Sequence, residues 1–291
     1  MKCQLCLGER DLKESHIIPK FVGKWLKDTS ATGYIRQAKQ PNLRQQDFHT
    51  ERLLCGECEN LFSQWENLFT KNIFLPYVNE GKRTFDYENW LLKFAVSLIW
   101  RVGLVELNDF REFKPDLANH LEYALSVWRK LLIDPVLPQE TFGFHLLFLD
   151  IVKGVDGMDL PEGLHWYNLR AVDASIFANK SEVYAYAKLP SMIFFAGIFP
   201  RRPSKWKNTR LHERGKIMAS NQEVSHSVFV EFYLNRAKQG RALWENMSPK
   251  QQEKIEKSIS SDPERSINSD SFQVYLAEQY WEKRQKRATD E

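Results

Sequence analysis

The sequence is short of several things, and each shortage narrows its class. Cysteine is scarce: four residues in 291, all before residue 59. Thiols confined to one segment of a cytosolic chain do not make a disulfide framework and read instead as metal ligands or redox groups. No stretch of 18 apolar residues occurs, and the opening MKCQLC lacks the basic and apolar regions of a secretory signal. A cytoplasmic protein without a membrane partner is therefore expected. Internal repeats, a P-loop, a dinucleotide fingerprint and a known nucleophile motif are all missing. Charge of one sign is not in excess either, since the formal net charge is +3 and the pI near 8.5. That balance neither demands a polyanionic partner nor repels one.

What is present is a globular composition. Hydrophobic residues make up 43% of the chain, with nine Trp and 19 Phe, which excludes a disordered protein. The length allows two domains, or one large domain with a small appendage. Positive charge concentrates in two places. Residues 1–50 hold nine Lys/Arg against five Asp/Glu, and RRPSKWKNTR at 201–210 holds five basic residues, a tryptophan and no acid.

The texture changes along the chain. Gly33-Tyr34-Ile35-Arg36 has the pattern of a strand, and the Gln-rich QAKQPNLRQQ after it has the polarity of an exposed loop. WLLKFAVSLIWRVGLVEL is apolar apart from Lys93, Ser97, Arg101 and its last acid, as in a buried helix, and Arg101 there must be an internally paired charge. A second helix is expected over Leu117 to Ile133. Short aromatic and β-branched runs after Pro138 (TFGFHLLFLDIV, LHWYNLRAVDASIF, EVYAYAKL, SMIFFAGIF) read as an antiparallel sheet. Helices return at the C-terminus, where Ser248-Pro249-Lys250-Gln251 has the form of a capping box and Phe272, Tyr275, Leu276 and Tyr280 form a one-sided stripe. The expected class is α+β: a zinc module over 1–75, then a region over 76–291 with helices at about 87–134, a sheet at about 141–230 and helices at about 231–288.

Chemistry concentrates in the first segment. Two C-x2-C units, Cys3/Cys6 and Cys55/Cys58, supply four soft thiolates suited to tetrahedral Zn(II). The 48 residues between them require a hairpin to bring the pairs together, with the second pair near a helix start, because Leu61, Phe62, Trp65 and Phe69 come after it at helical spacing. Four thiolates leave no open coordination position, so the zinc would be structural. His16 stands ten residues after Cys6 in SHIIPKF, a strand pattern that Pro19 ends.

In these motifs, C-x2-C, then S-H-I-I-P-K-F, then L-L-C-x2-C-E, residues 1–70 resemble the HNH or His-Me finger endonucleases. The subgroup is the one in which four cysteines hold zinc in a treble clef, as in the phage Holliday-junction-resolving endonucleases. The resemblance implies a β-hairpin bearing a histidine, packed on a helix that supplies a ligand for a second, catalytic ion, Mg(II) or Mn(II). On that basis His16 is the general base, Glu59 the metal ligand and Asn60 a further ligand or positioning group. Ser15 falls where many members carry an acidic ligand, and Glu66 is placed to replace the lost charge. The implied function is hydrolysis of phosphodiester bonds in nucleic acid, DNA or RNA. The alternative is a zinc-stabilised nucleic-acid- or protein-binding module without activity, which Ser15 favours. A third option leaves the work to the C-terminal region.

For nucleic-acid contact the candidates are Lys20 and the basic run Arg201, Arg202, Lys205 and Lys207, with Trp206 as a stacking platform. A solvated loop is the bland reading of that run. His49, in a polar FHTER context, reads as exposed rather than as a ligand. His120, His145, His165, His212 and His226 are scattered singly, and His145 reads as a half-buried strand residue.

Overall fold

The computed structural model describes residues 1–37, 40–134, 142–152, 160–201 and 206–289. From the N-terminus come β1 (Leu12–His16), α1 (Lys20–Asp28), β2 (Ile35–Gln37), β3 (Gln40–Gln45), β4 (Thr50–Cys55) and α2 (Gly56–Phe69). A π-helical turn, Thr70–Phe74, leads into α3 (Leu75–Glu80), then β5 (Thr84–Tyr87), α4 (Asn89–Phe113) and α5 (Pro115–Ile133). Next are β6 (Phe144–Phe148), α6 (Leu164–Arg170), β7 (Asp173–Ala178), β8 (Val183–Leu189) and β9 (Met192–Phe199). Last come α7 (Ser227–Glu245), α8 (Pro249–Ser261), α9 (Pro263–Ile267) and α10 (Asp270–Thr289). Helix and strand are thus mixed along the chain, as the sequence pattern requires.

Two compact units result, and neither is continuous in sequence. The first comprises Met1–Pro19, His49–Phe148 and Asp173–His226, and the second Lys20–Phe48, Leu149–Val172 and Ser227–Glu291. The expected boundary at residue 75 falls inside the first unit, for a physical reason. Phe69 of α2 stacks on Phe94 of α4 at 4.2 Å, and both rings meet Phe194 of β9 at 5.5 and 5.4 Å. The cysteine-bearing segment therefore shares one aromatic core with α4 and β9.

In the first unit α4 lies against α5 at close range. At Gly103 an added Cβ would come within 2.8 Å of Leu125 Cδ2, so a larger residue there would push that side chain aside. The polar residues of α4 are satisfied internally: Lys93 Nζ donates to the carbonyls of Leu131 and Asp134, and Ser97 Oγ to that of Phe94 at 2.8 Å. The antiparallel sheet has the order β6-β9-β8-β7. Its central strands are buried on both faces, which explains their near-continuous apolar runs.

The second unit contains α1, the antiparallel β2–β3 ribbon, α6 and the four C-terminal helices. Three sequence expectations are corrected here. The Gln-rich segment is not a loop, since Gln40–Gln45 pairs with β2; polar side chains do not prevent backbone pairing in an exposed ribbon. LHWYNLR is the helix α6 and not a strand. Gly163, at φ 82°, and His165 donate their amides to Glu278 of α10 at 2.6 and 3.0 Å, which satisfies the amide donors at the start of α6. The stripe on α10 is the outward face: Tyr275, Leu276 and Tyr280 are exposed, whereas Val274, Glu278 and Trp281 are buried. Trp281 joins Leu160, Leu164, Tyr167 and Ala237 in the core of this unit. Ser248 does precede α8, with Pro249 in its first turn, but its side chain makes no capping bond.

Candidate metal centre

The first residues are held in place by backbone bonds from several sides. Cys3 donates its amide to Gly8 O at 3.0 Å, Leu7 donates back to Cys3 O, and Gln4 donates to Leu53 O at 2.9 Å. Leu7 takes a left-handed conformation at φ 62°, uncommon for a branched residue, which closes the tight turn around Cys3 and Cys6. From α5, Arg129 Nη1 donates to Leu5 O at 2.9 Å. The second pair sits where β4 turns into α2: Cys55 ends the strand and Cys58 lies in the first helical turn.

Pairing of β1 with β4 joins the two halves, in the register Leu12↔Cys55, Glu14↔Arg52, Ser15↔Glu51 and His16↔Thr50, with a bulge at Lys13/Glu14. The four sulfurs all lie within 4.8 Å of one another, Cys6 and Cys55 at 3.9 Å. Tetrahedral zinc with Zn–S of ~2.3 Å sets sulfurs ~3.8 Å apart, so this donor set could hold a metal ion such as zinc.

Two thiols of the cluster are shifted in opposite directions. Burial raises the Cys3 thiol, but the amides of Cys55, Cys6 and Leu5 outweigh it and bring it down to about 7. Burial and the three neighbouring sulfurs push the Cys58 thiol up.

Beside the cluster, Ser15 is fully buried and its hydroxyl donates to Glu59 Oε1, a short contact joining β1 to the first turn of α2. Successive strand residues face opposite sides, so His16 shares its face with Glu14 and not with Ser15. Glu14 accepts from Arg52 Nε at 3.1 Å and Thr50 Oγ1 at 3.0 Å; these bonds, with a smaller contribution from His16, hold its carboxyl below the ordinary value. His16 is half-buried and Asn60 exposed.

Glu66 does not join Glu59, as the sequence suggested it would. Its Oε1 receives Arg101 Nη2 at 2.8 Å, while Arg101 Nη1 donates to the His16 carbonyl at 2.6 Å. With 2% of its side chain exposed, Arg101 thus ties the strand end carrying His16 to α2 and α4. A lone arginine in an apolar helix signalled a paired charge, but nothing in the sequence named its partners.

The C-terminal basic run differs from its expected form. Trp206 is buried and stacked on Phe195 at 4.3 Å, so no base can stack on it. Lys207 pairs with Glu223 at 2.8 Å, and the exposed Arg201 sets its guanidinium over Tyr123 at 4.6 Å. Arg202 and Lys205 lie outside the described residues. Lys20 is the exposed first residue of α1.

The other histidines are held by structural partners. His49 is exposed beside Glu51 at 2.9 Å. His145 is fully and not half buried, 2.8 Å from Thr209 Oγ1, and burial first, then Arg210 and His212, push it down to about 3. His226 lies 2.8 Å from the Tyr184 hydroxyl, and His120 stacks on Phe199 at 4.2 Å. His165 is buried with both ring nitrogens toward acceptors, Glu278 Oε2 and the Val152 carbonyl, each at 3.2 Å.

No helix among the described residues is long and apolar enough to cross a membrane. Comparison of the chain with protein-family models, curated proteins and solved structures found no significant match.

Proposed function

We propose that this chain is a metal-dependent endonuclease of the HNH kind, its four cysteines holding a structural zinc in a treble-clef module. The observation that carries the reading is the contact between Ser15 and Glu59 beside the cysteine cluster. These are the two positions to which the resemblance assigns the catalytic ion, and they come from segments 44 residues apart. Zinc would tie the first residues to the start of α2.

Glu59 offers one carboxylate, Ser15 a hydroxyl, and the exposed Asn60 an amide. One carboxylate with neutral donors and substrate phosphate oxygens suits Mg(II) or Mn(II), which keep part of their water shell. When bound, such an ion would stabilise charge on the phosphate and on the leaving oxygen. His16 takes the proton of the attacking water, which then displaces the leaving oxygen in line. Arg101, through the His16 carbonyl, fixes the backbone from which the imidazole projects.

A specific observation favours a second reading, a nucleic-acid-binding module without activity. Ser15 is neutral, its hydroxyl is already given to Glu59, and Glu66 is held by Arg101, so the candidate ion has one carboxylate. Incubation of zinc-quantified protein with labelled single- and double-stranded DNA and RNA in Mg(II) or Mn(II) separates the two. Cutting that disappears in His16→Ala and Glu59→Gln with zinc content intact supports the nuclease. Undiminished cutting by His16→Ala refutes the base assignment, and binding without cleavage selects the second reading.

A further inference from the structure

The chain between His16 and Thr50 has its own charge character. Residues 20–48 carry six lysines and arginines against two aspartates, and residues 34–46 contain no acid. In the β2–β3 ribbon Arg36 lies directly opposite Arg44, and like charges so placed destabilise a strand pair. Neither guanidinium has a carboxylate partner among the described residues. Arg36 Nη1 donates to the Pro41 carbonyl at 3.1 Å, and its Nη2 is buried without an acceptor. Burial and then the charge of Arg44 lower the Arg36 guanidinium from its ordinary value.

Several surface cations elsewhere have acidic partners: Arg10 with Glu57 at 2.6 Å, Arg52 with Glu14 at 3.1 Å, Arg111 with Glu122 at 2.7 Å and Lys216 with Asp86 at 3.5 Å. The ribbon instead keeps two uncompensated charges together beside an aromatic ring. The Arg44 guanidinium sits 4.0 Å over Tyr34, itself 39% exposed. Stacking uses the face of a guanidinium and leaves its in-plane N–H donors for phosphate oxygens, so Arg44 is held in a ready orientation.

We propose that the β2–β3 ribbon is a nucleic-acid contact, in which Tyr34 orients Arg44 toward a backbone phosphate and Arg36 takes a second once its buried, acceptor-less Nη2 turns outward. The proposal rests on the functional reading above only for the class of partner. The two unpaired charges that weaken the free ribbon become favourable when a phosphodiester chain lies between them.

The test measures binding, so that it stands apart from cleavage. Fluorescence anisotropy of a fluorescein-labelled DNA oligonucleotide, single-stranded in one arm and duplex in the other, is followed against KCl without divalent ions, using the full zinc-loaded chain. Each phosphate contact contributes ~0.7 (single strand) to ~0.9 (duplex) to the slope of log K against log salt, so Arg36→Gln/Arg44→Gln lowers it by about 1.4 to 1.8. Lys24→Gln/Lys216→Gln removes the same charge from two acid-paired sites and leaves the slope in place. Arg36→Lys/Arg44→Lys restores it, because each phosphate contact keeps its charge. The unfolding temperature of the Gln pair stays level or rises, since a repulsion has been removed; a purely structural role for the arginines gives the opposite. Equal slopes for the ribbon and control variants, or no binding by the wild-type chain at low salt, overturn the proposal. A slope lost in the ribbon variant while the wild type fails to cut supports the ribbon and refutes the nuclease. Cutting with equal slopes overturns the ribbon alone.

Discussion

Replacing Arg101 with methionine removes a side chain that joins β1, α2 and α4 around His16. Two charge-assisted bonds are lost, to Glu66 Oε1 at 2.8 Å and to the His16 carbonyl at 2.6 Å; the third, to Ser97 O, is long at 3.3 Å and adds little. Bonds of that kind contribute ~1.5–3 kcal/mol each, which sets a gross loss of ~3–6 kcal/mol. Methionine recovers part of it by filling a similar volume and by sparing the desolvation of a buried cation. Glu66, with 20% of its side chain exposed, recovers more by taking up water. The expected net destabilisation is therefore about 3 kcal/mol in urea unfolding of the zinc-loaded protein. Glu66→Gln alone should cost about 1 kcal/mol, and the double variant should show a coupling of about 2 kcal/mol, as for residues in one network. Hydrogen exchange supplies a local reading, because the amide of Ile17 bonds to His49 O at 3.2 Å next to the clamped carbonyl. Exchange there should quicken more than in the β8–β9 core. A loss below about 1 kcal/mol together with unchanged Ile17 protection would refute the clamp.

The geometry sets two further outcomes. Cys58→Ser, or chelation of the wild type, should lower zinc stoichiometry and loosen the β1–β4 pairing, measured by metal analysis and by protease cleavage within the first sixty residues; full resistance without metal would show that the cluster folds unaided. The buried His165–Glu278 pair should make the second unit most stable in mildly acidic solution. Burial lowers the His165 ring, but Glu278 and the Val152 carbonyl outweigh it and raise it above 6.5, so its stabilisation is complete below 6.5 and fades as pH rises through the raised value. Burial raises Glu278, but the bonds from His165 and Gly163 outweigh it and lower it, so its share is complete above 4.5 and fades as pH falls through the lowered value. Thermal unfolding of wild type and Glu278→Gln across that range should show the maximum only in the wild type.

Those parts of the fold that depend on local periodicity were legible in the residues. The apolar run of α4 and the spacing of Leu121, Leu125, Trp128 and Leu132 in α5 each point to one buried face, and both helices form. The apolar face after Cys58 likewise required a helix, which α2 supplies; the expected hairpin is instead a pairing of β1 with β4, between which α1, β2 and β3 are inserted. What could not be read depends on partners distant in sequence. A glutamate on α10 looks like a surface residue until its partners at Gly163 and His165 are known, and without Glu278 inside, the aromatic side of the helix looks like the core side. Trp206 among basic residues looks like a stacking platform until Phe195 covers it. Glu66 seemed free for an ion because Arg101, 35 residues on, gave no sign of where it pointed.

The interleaving of the two units bears on biosynthesis. Between Pro19 and Ser227 the polypeptide crosses from one unit to the other five times, so a ribosome cannot finish either before starting its neighbour. The start of α6 waits more than 110 residues for the carboxylate that caps it, and Leu160, Leu164 and Tyr167 wait as long for Trp281. A nascent chain stalled before α10 therefore carries an open apolar face that chaperones or proteases can engage, and deletions at the C-terminus act on structure laid down more than 110 residues earlier.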